Sequence, residues 1–195
     1  MPDFRKTVFH GQVSQPGDRP PESRPEVVLA GRSNVGKSSL VNLLAGVRRL
    51  ARVSSTPGRT RQVLYFLVDG AFYLVDLPGY GYARVSESGR QGVGNLVDSY
   101  LASSRDIRLV VHLVDIRHDP TREDLLMQDW IRERGLACLV AANKADKLSA
   151  SAVRSRAAAL RDALSLPPDM PLLPLSLKDR TGLEPLREAI LERMT

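Results

Sequence analysis

The chain has a single cysteine, Cys138, in 195 residues, so no internal disulfide can staple it. Cys138 lies within the apolar stretch LACLVAAN, where a small core residue is expected, and this usage fits a reducing cytoplasm. Histidine is almost as scarce, and with no Cys/His cluster a zinc site is not expected. No apolar run approaches the ~20 residues that span a bilayer, so membrane insertion is not expected. The opening MPDFRKTVFHGQVSQPGDRPPESRP also lacks the apolar centre of a signal peptide. Acidic residues are missing altogether between Glu26 and Asp69, an interval that holds Arg32, Lys37, Arg48, Arg49, Arg52, Arg59 and Arg61. A solvated surface normally intersperses both signs, so this interval points to a polyanionic partner, and arginine suits bidentate phosphate recognition.

The composition is globular, with 43% hydrophobic and 26% charged residues, and the length supports one domain with a sizeable core. Residues 1–23 read as a loosely ordered extension, with a short edge strand around Thr7 to Val13, and residues 24–195 as a single domain. PEVVLAG reads as a buried strand and KSSLVNLLAGVRRL as a helix. QVLYFLVDGAFYLVDLPG reads as two strands joined by a tight turn at Asp69-Gly70. A helix is expected near Val93 to Ser103. IRLVVHLVDIR is continuously apolar, the mark of a strand covered on both faces. REDLLMQDWIRER reads as helix, LACLVAANKAD as strand then loop, and SASAVRSRAAALRDALSL as helix. MPLLPLSLKDRTG supplies a last strand and loop. The closing helix LEPLREAILERM puts Leu183, Leu186, Ile190 and Leu191 on one face. Strands alternating with helices predict a three-layer α/β fold: a mostly parallel six-stranded sheet with one antiparallel edge strand and helices on both faces. In such sheets ligands bind beyond the carboxyl ends of the strands, and every motif below falls at such an end.

The stretch AGRSNVGKSSL has the spacing Gly31-x-x-x-x-Gly36-Lys37-Ser38 of a phosphate cradle. Backbone N–H groups from Gly31, Arg32, Ser33, Asn34, Val35 and Gly36 would line it, and the following helix adds its positive end. Lys37 would reach the outer phosphates, and the Ser38 hydroxyl, next to Ser39, would ligate Mg2+. DLPG, comprising Asp76, Leu77, Pro78 and Gly79, closes the third strand of the domain. Asp76 would hold the magnesium through water, and Gly79 would offer its N–H to a terminal phosphate. NKAD (Asn143, Lys144, Ala145 and Asp146) selects the base. Guanine presents N1–H and its 2-amino group side by side, and the Asp146 carboxylate accepts from both, whereas adenine has no such pair. Asn143 would tether the loops and the Lys144 stem would lie along the base. SLK (Ser176, Leu177 and Lys178) would offer a backbone N–H to the guanine carbonyl. A sensor of the terminal phosphate is expected in STPGRTR, where Thr60 and Thr56 both compete for the role.

These motifs, in this order, resemble the EngB (YihA/YsxC) family of bacterial ribosome-biogenesis GTP-binding proteins, within the TrmE-Era-EngA-EngB-Septin-like GTPase superfamily. The resemblance rests on GRSNVGKSS, TPGRTRQ, DLPGYGYA, NKAD and SLK followed by TG, and it covers roughly residues 8–195. DLPGYGYA is its most family-specific tract. The resemblance places the second motif at Gly58, Arg59, Thr60, Arg61 and Gln62, which favours Thr60 over Thr56. It implies a phosphate-loop G domain that binds GTP and GDP with Mg2+ and hydrolyses GTP to GDP and phosphate. It further implies action in late assembly of the large (50S) ribosomal subunit, by contact with its precursor's rRNA and proteins. Normal cell division and septation would depend on it, indirectly if cells short of ribosomes divide badly, and the protein would act as a monomer.

One departure bears on mechanism. Many signalling GTPases place a glutamine after the glycine of the third motif to orient the attacking water, and here that position is Tyr80. Slow intrinsic turnover is therefore expected. Related GTPases with asparagine at the position of Asn34 coordinate potassium, so K+ stimulation is expected as well, and Arg59 is a charge-stabilising candidate in cis. Trp130 reads as helix packing, His112 as a hydrogen-bonded core histidine, and His118 and Asp119 as loop structure. Two other readings are an RNA-binding assembly module whose nucleotide is structural, and a nucleoside phosphate kinase, which would have no use for NKAD.

Overall fold

The strands β1 (Thr7–Val13), β2 (Glu26–Gly31), β3 (Val63–Val68), β4 (Phe72–Asp76), β5 (Ile107–Asp115), β6 (Cys138–Asn143) and β7 (Leu172–Pro174) form one sheet. Their spatial order is β1-β3-β4-β2-β5-β6-β7. This computed structural model describes residues 1–14, 18, 23–51, 62–80, 96–100 and 106–194. β2 runs parallel to β4 and β5, and β6 continues the parallel set to β7. β3 alone runs against its neighbours, β4 on one side and β1 on the other.

The sheet therefore has seven strands rather than the expected six, and antiparallel β3 lies one place in from the edge. The added strand is β1, which covers the otherwise open edge of β3 from Thr7 opposite Val68 to Val13 opposite Val63. Phe9 stacks edge-on against Phe66 with ring centroids 5.7 Å apart. Ahead of it, Phe4 is 5% exposed and meets Phe72 edge-to-face at 6.0 Å. The Arg187 guanidinium lies 5.8 Å from the centroid of the Phe4 ring. The edge strand expected around Thr7 to Val13 is thus present as β1.

Helices cover both faces. On one, α1 (Lys37–Ala45) and the last helix bury Leu40, Val41, Leu44, Leu183, Leu186 and Ile190 against Val27, Leu29, Phe66 and Leu74. That last helix, Leu183–Glu192, becomes α4 once α2 (Arg122–Glu133) and α3 (Ala150–Ala163) are counted. On the other face, Met127 and Ile131 of α2, Leu160 of α3 and the helical residues 96–100 pack on Val28, Tyr65, Tyr73, Val75 and Val110. Successive residues of β2 feed opposite layers, which is why its sequence is apolar without alternation. Leu191 is only half-buried, unlike the other three residues of its expected stripe.

Two local signals decide element ends. Asp69 and Gly70 take φ of +46° and +67°, the tight turn that Asp-Gly predicts between β3 and β4. α1 stops at Ala45, earlier than KSSLVNLLAGVRRL suggests, because Gly46 takes φ +70° and its N–H returns to the Asn42 and Leu43 carbonyls. The Asn42 amide then grips Ala51 from both sides, at 2.9 Å and 2.7 Å, so Arg48 and Arg49 sit in an exposed loop.

Replacing Phe4 by alanine removes a buried ring that touches both β4 and α4. A loss of about 3 kcal/mol in urea-unfolding stability is expected; a loss below about 0.5 kcal/mol would show that the leading segment rests on the sheet without stabilising it.

Candidate functional site

The carboxyl ends of β2, β4, β5, β6 and β7 face the same side of the sheet, and each carries a loop of the site. Residues 31–38 join β2 to α1 in a tight loop. Gly36, the helix's N-cap, takes φ +118°, and a Cβ there would lie 2.6 Å from Asn143 Nδ2 and 2.8 Å from Leu177 Cδ1. Only glycine combines that backbone with that closeness. Asn34, at φ +60°, is exposed at the tip of the loop. Lys37 is buried, and its ammonium donates to the carbonyls of Gly31 at 2.9 Å and Arg32 at 3.2 Å. Burial pushes its pKa down, and the nearby Asp76 carboxylate opposes that shift. A desolvated cation aimed along a loop at a helix N-terminus suits phosphate oxygens.

Asp76 ends β4 and is 1% exposed. Its Oδ2 accepts from the Ser38 hydroxyl at 2.6 Å, and its buried Oδ1 has no hydrogen-bond partner. Burial pushes its pKa up, against the pull of Lys37 and Ser38. An orphaned carboxylate oxygen beside a hydroxyl is a hard-oxygen pair that fits Mg2+, a cation that takes few protein ligands and keeps waters and phosphates for the rest. Gly79 comes directly after Leu77 and Pro78. A Cβ on it would lie 2.6 Å from Ser33 Oγ and 2.8 Å from the Ser33 backbone N, so its peptide presses directly on the phosphate loop. The Ser33 N–H donates to the Tyr80 carbonyl at 3.1 Å and the Ser33 hydroxyl to the Gly79 carbonyl at 3.3 Å.

The base-side loops follow β6 and β7. The Asn143 side-chain amide donates to the Val35 carbonyl at 2.7 Å, bolting this loop to the phosphate loop. Lys144 takes φ +71°, and its ammonium reaches Asp115 Oδ2 at 2.8 Å. Ala145 N–H bonds the Leu175 carbonyl at 3.0 Å. Asp146, on the short 3-10 turn Ala145–Lys147, accepts from the Ser176 hydroxyl at 3.1 Å through Oδ1. Ser176 is fully buried, and its oxygen also receives the N–H groups of Lys178 and Asp179, each at 3.3 Å. The carboxylate is thereby aimed by the very SLK segment that also flanks the base side.

The structure thus brings Gly31 to Ser38, Asp76 to Gly79, Asn143 to Asp146 and Ser176 to Lys178 to one end of the sheet. Gln62, the residue before β3, donates its side-chain amide to Ser14 at 2.7 Å. Gly58, Arg59, Thr60 and Arg61, with Thr56, lie outside the described residues. Asp115 went unnoticed in the sequence. Burial pushes its carboxyl up, but hydrogen bonds from Arg117 and Lys144 outweigh this and hold it well below the usual carboxylate range. The signal was available: an acid at the carboxyl end of β5, beside the strand that carries NKAD. His112 is a buried, hydrogen-bonded strand residue, as expected. Trp130 is half-buried under the Arg134 guanidinium, and Asp119 pairs with Arg156 at 2.9 Å.

A strand-to-helix phosphate loop, an acid on the adjoining strand end and the NKAD loop two strands across mark the fold as a phosphate-loop GTPase domain. Residues 26–144 match the family described as "50S ribosome-binding GTPase". The "Probable GTP-binding protein EngB" of Pelotomaculum thermopropionicum is 47% identical over 96% of this chain and 94% of that protein. Its namesake from Syntrophomonas wolfei is 46% identical over 97% of each. A crystal structure of a probable GTP-binding protein engB superposes with a TM-score of 0.73 at 25% identity, covering 87% of this chain and 98% of that one. In fold alone, Aquifex aeolicus Era is also similar, with a TM-score of 0.71 at 22% identity over 88% of this chain and 57% of that one. The chain belongs to the EngB family of GTP-binding proteins. Among the described residues, no helix is long and apolar enough to cross a membrane.

Because the Asp115 pKa is depressed in the folded chain, its stabilising effect is present above the ordinary carboxylate value of about 4 and is lost as pH falls through the folded value. Asp115→Asn should therefore flatten the fall of stability on acidification below about pH 4, measured by urea unfolding across pH. An unchanged acid limb would show that the Lys144 and Arg117 contacts carry no weight.

Proposed function

We propose that this protein hydrolyses GTP to GDP and phosphate as a switch in late assembly of the large (50S) ribosomal subunit, docking on the precursor when GTP-bound and leaving after hydrolysis. Normal division and septation would depend on it through ribosome supply, and it would act as a monomer in the bacterial cytosol. The observation that carries the reading is Asp146, held by Ser176 at the end of the NKAD loop while Asn143 ties that loop to the phosphate cradle. A carboxylate so fixed accepts from the paired donors of guanine and opposes adenine.

Lys37 would draw in the outer phosphates, with Ser38, Thr60 and Asp76 holding the magnesium. Bound there, the metal neutralises phosphate charge as the terminal group leaves. The Gly79 N–H senses the γ-phosphate and Ser176 to Lys178 cap the guanine carbonyl. Catalysis is positioning and electrostatics, with no covalent intermediate. The exposed Asn34 would join a potassium ion at the phosphates, and the family description of a 50S ribosome-binding GTPase supports the partner. The exposed Arg48 and Arg49 fit contact with rRNA phosphates.

Co-sedimentation with large-subunit particles should favour a non-hydrolysable GTP analogue over GDP by about tenfold, equivalent to ~1.4 kcal/mol of coupling. Equal binding in both states would instead support an RNA-binding module whose nucleotide is structural. Turnover should also rise when potassium chloride replaces sodium chloride at matched ionic strength, and identical rates would remove potassium from the account.

A further inference from the structure

Tyr80, where other GTPases keep a water-orienting glutamine, is tied into a directed chain of hydrogen bonds. Its hydroxyl lies 2.8 Å from Asp124 Oδ1 and 2.6 Å from His112 Nε2. His112 belongs to β5 and is fully buried, while Asp124 and Gln128 sit a turn apart on α2 and are 4% and 2% exposed. His112 Nδ1 faces Gln128 Nε2 at 2.6 Å.

The sense of each bond follows by elimination. Burial pushes the Asp124 carboxyl up, but the neighbouring His112 and its hydrogen bonds with Thr121 and Tyr80 outweigh this and keep it below the ordinary value. An ionised carboxylate only accepts, so it takes the phenol's one proton. The phenol oxygen then accepts from His112 Nε2–H. An amide nitrogen only donates, so Gln128 gives its hydrogen to His112 Nδ1. The other Asp124 oxygen accepts from the Thr121 N–H at 2.9 Å and the Thr121 hydroxyl at 2.8 Å, which closes the capping box of α2. With its proton and its acceptor face both engaged, Tyr80 has nothing left with which to orient water. Burial and the Asp124 charge also push its pKa well up, so it is no base.

What the side chain does hold is its own backbone. The Tyr80 carbonyl accepts from Ser33 N–H, Arg32 pairs with Tyr80 as a parallel bridge, and the Gly79 carbonyl accepts from the Ser33 hydroxyl. The consecutive carbonyls of Gly79 and Tyr80 are thus pinned to the phosphate loop, next to the Gly79 N–H, while the Tyr80 side chain is held by the hydrogen-bonded chain. We propose that the Tyr80 hydroxyl is a positioning group for the terminal phosphate: it fixes the Gly79 peptide before nucleotide arrives and transmits any displacement of that peptide to the first turn of α2. The inference rests on the reading above that the Gly79 N–H meets the γ-phosphate. A peptide fixed in advance loses less freedom on binding, and this gain applies to GTP but not to GDP, which lacks the phosphate in question.

The test compares the wild-type chain with Tyr80→Phe, which deletes one oxygen and leaves the ring. Calorimetry in magnesium should show GDP affinity within twofold of wild type, and affinity for a non-hydrolysable GTP analogue weakened by about tenfold. Hydrogen exchange in residues 122–126 should slow on adding the analogue in wild type and respond less in the variant. Equal weakening for both nucleotides would reduce Tyr80 to a structural role, and unchanged affinities with the same exchange response would overturn the proposal. A wild-type chain that bound neither nucleotide, or bound ATP as well as GTP, would instead sink the GTPase reading and take the clamp with it.

Discussion

Two loops from distant parts of the chain meet because one side-chain amide joins them. Asn143 donates from the end of β6 to the Val35 carbonyl, across 108 residues of sequence, in a buried setting. A missed hydrogen bond there would leave a polar group stranded without water, so the contact is strongly specified. The close approach of Gly36 to Asn143 and Leu177 leaves no slack around it. The spacing between the loop after β2 and the loop after β6 is set by that junction.

Around it the polar groups follow a common rule. Each charged group of the site is oriented by a neighbouring polar group. Lys37 is steadied by the carbonyls of its own loop, Asp76 by the Ser38 hydroxyl, Asp146 by Ser176 and Lys144 by Asp115. Such supporting contacts keep side chains in place before ligand arrives, so less freedom is lost on binding. The sheet itself supplies the rigid frame, with its strand ends in register and both faces covered by helices.

The third motif shows how a substitution can change role without leaving the site. A tyrosine after Gly79 cannot act as a glutamine would, yet its phenol reaches β5 and α2 through His112 and Asp124, and its backbone carbonyl holds the phosphate loop through Ser33. The residue that drops out of water positioning is the one best placed to feel movement of the Gly79 peptide. Sequence alone reads Tyr80 as a deficit and His112 as a core residue. Their 2.6 Å contact makes them parts of one device.

The sequence by itself determined the chemistry of the site and the alternation of elements. Gly31, Gly36, Lys37, Asp76 and the NKAD loop are legible because each needs a particular residue at a particular strand end, and the run of apolar strands is legible because both faces are covered. The Asp-Gly turn was legible because its backbone demands positive φ at successive positions. What only the tertiary structure decided were pairings between residues far apart in the chain. β1 on the outside of β3, Asp115 under Lys144, and Asp124 and Gln128 on either side of the Tyr80–His112 pair leave no periodic or spacing signal. Local pattern encodes which face is apolar and where a turn must bend. It carries no record of which buried donor, some thirty to a hundred residues away, will meet which acceptor once the sheet has brought them together.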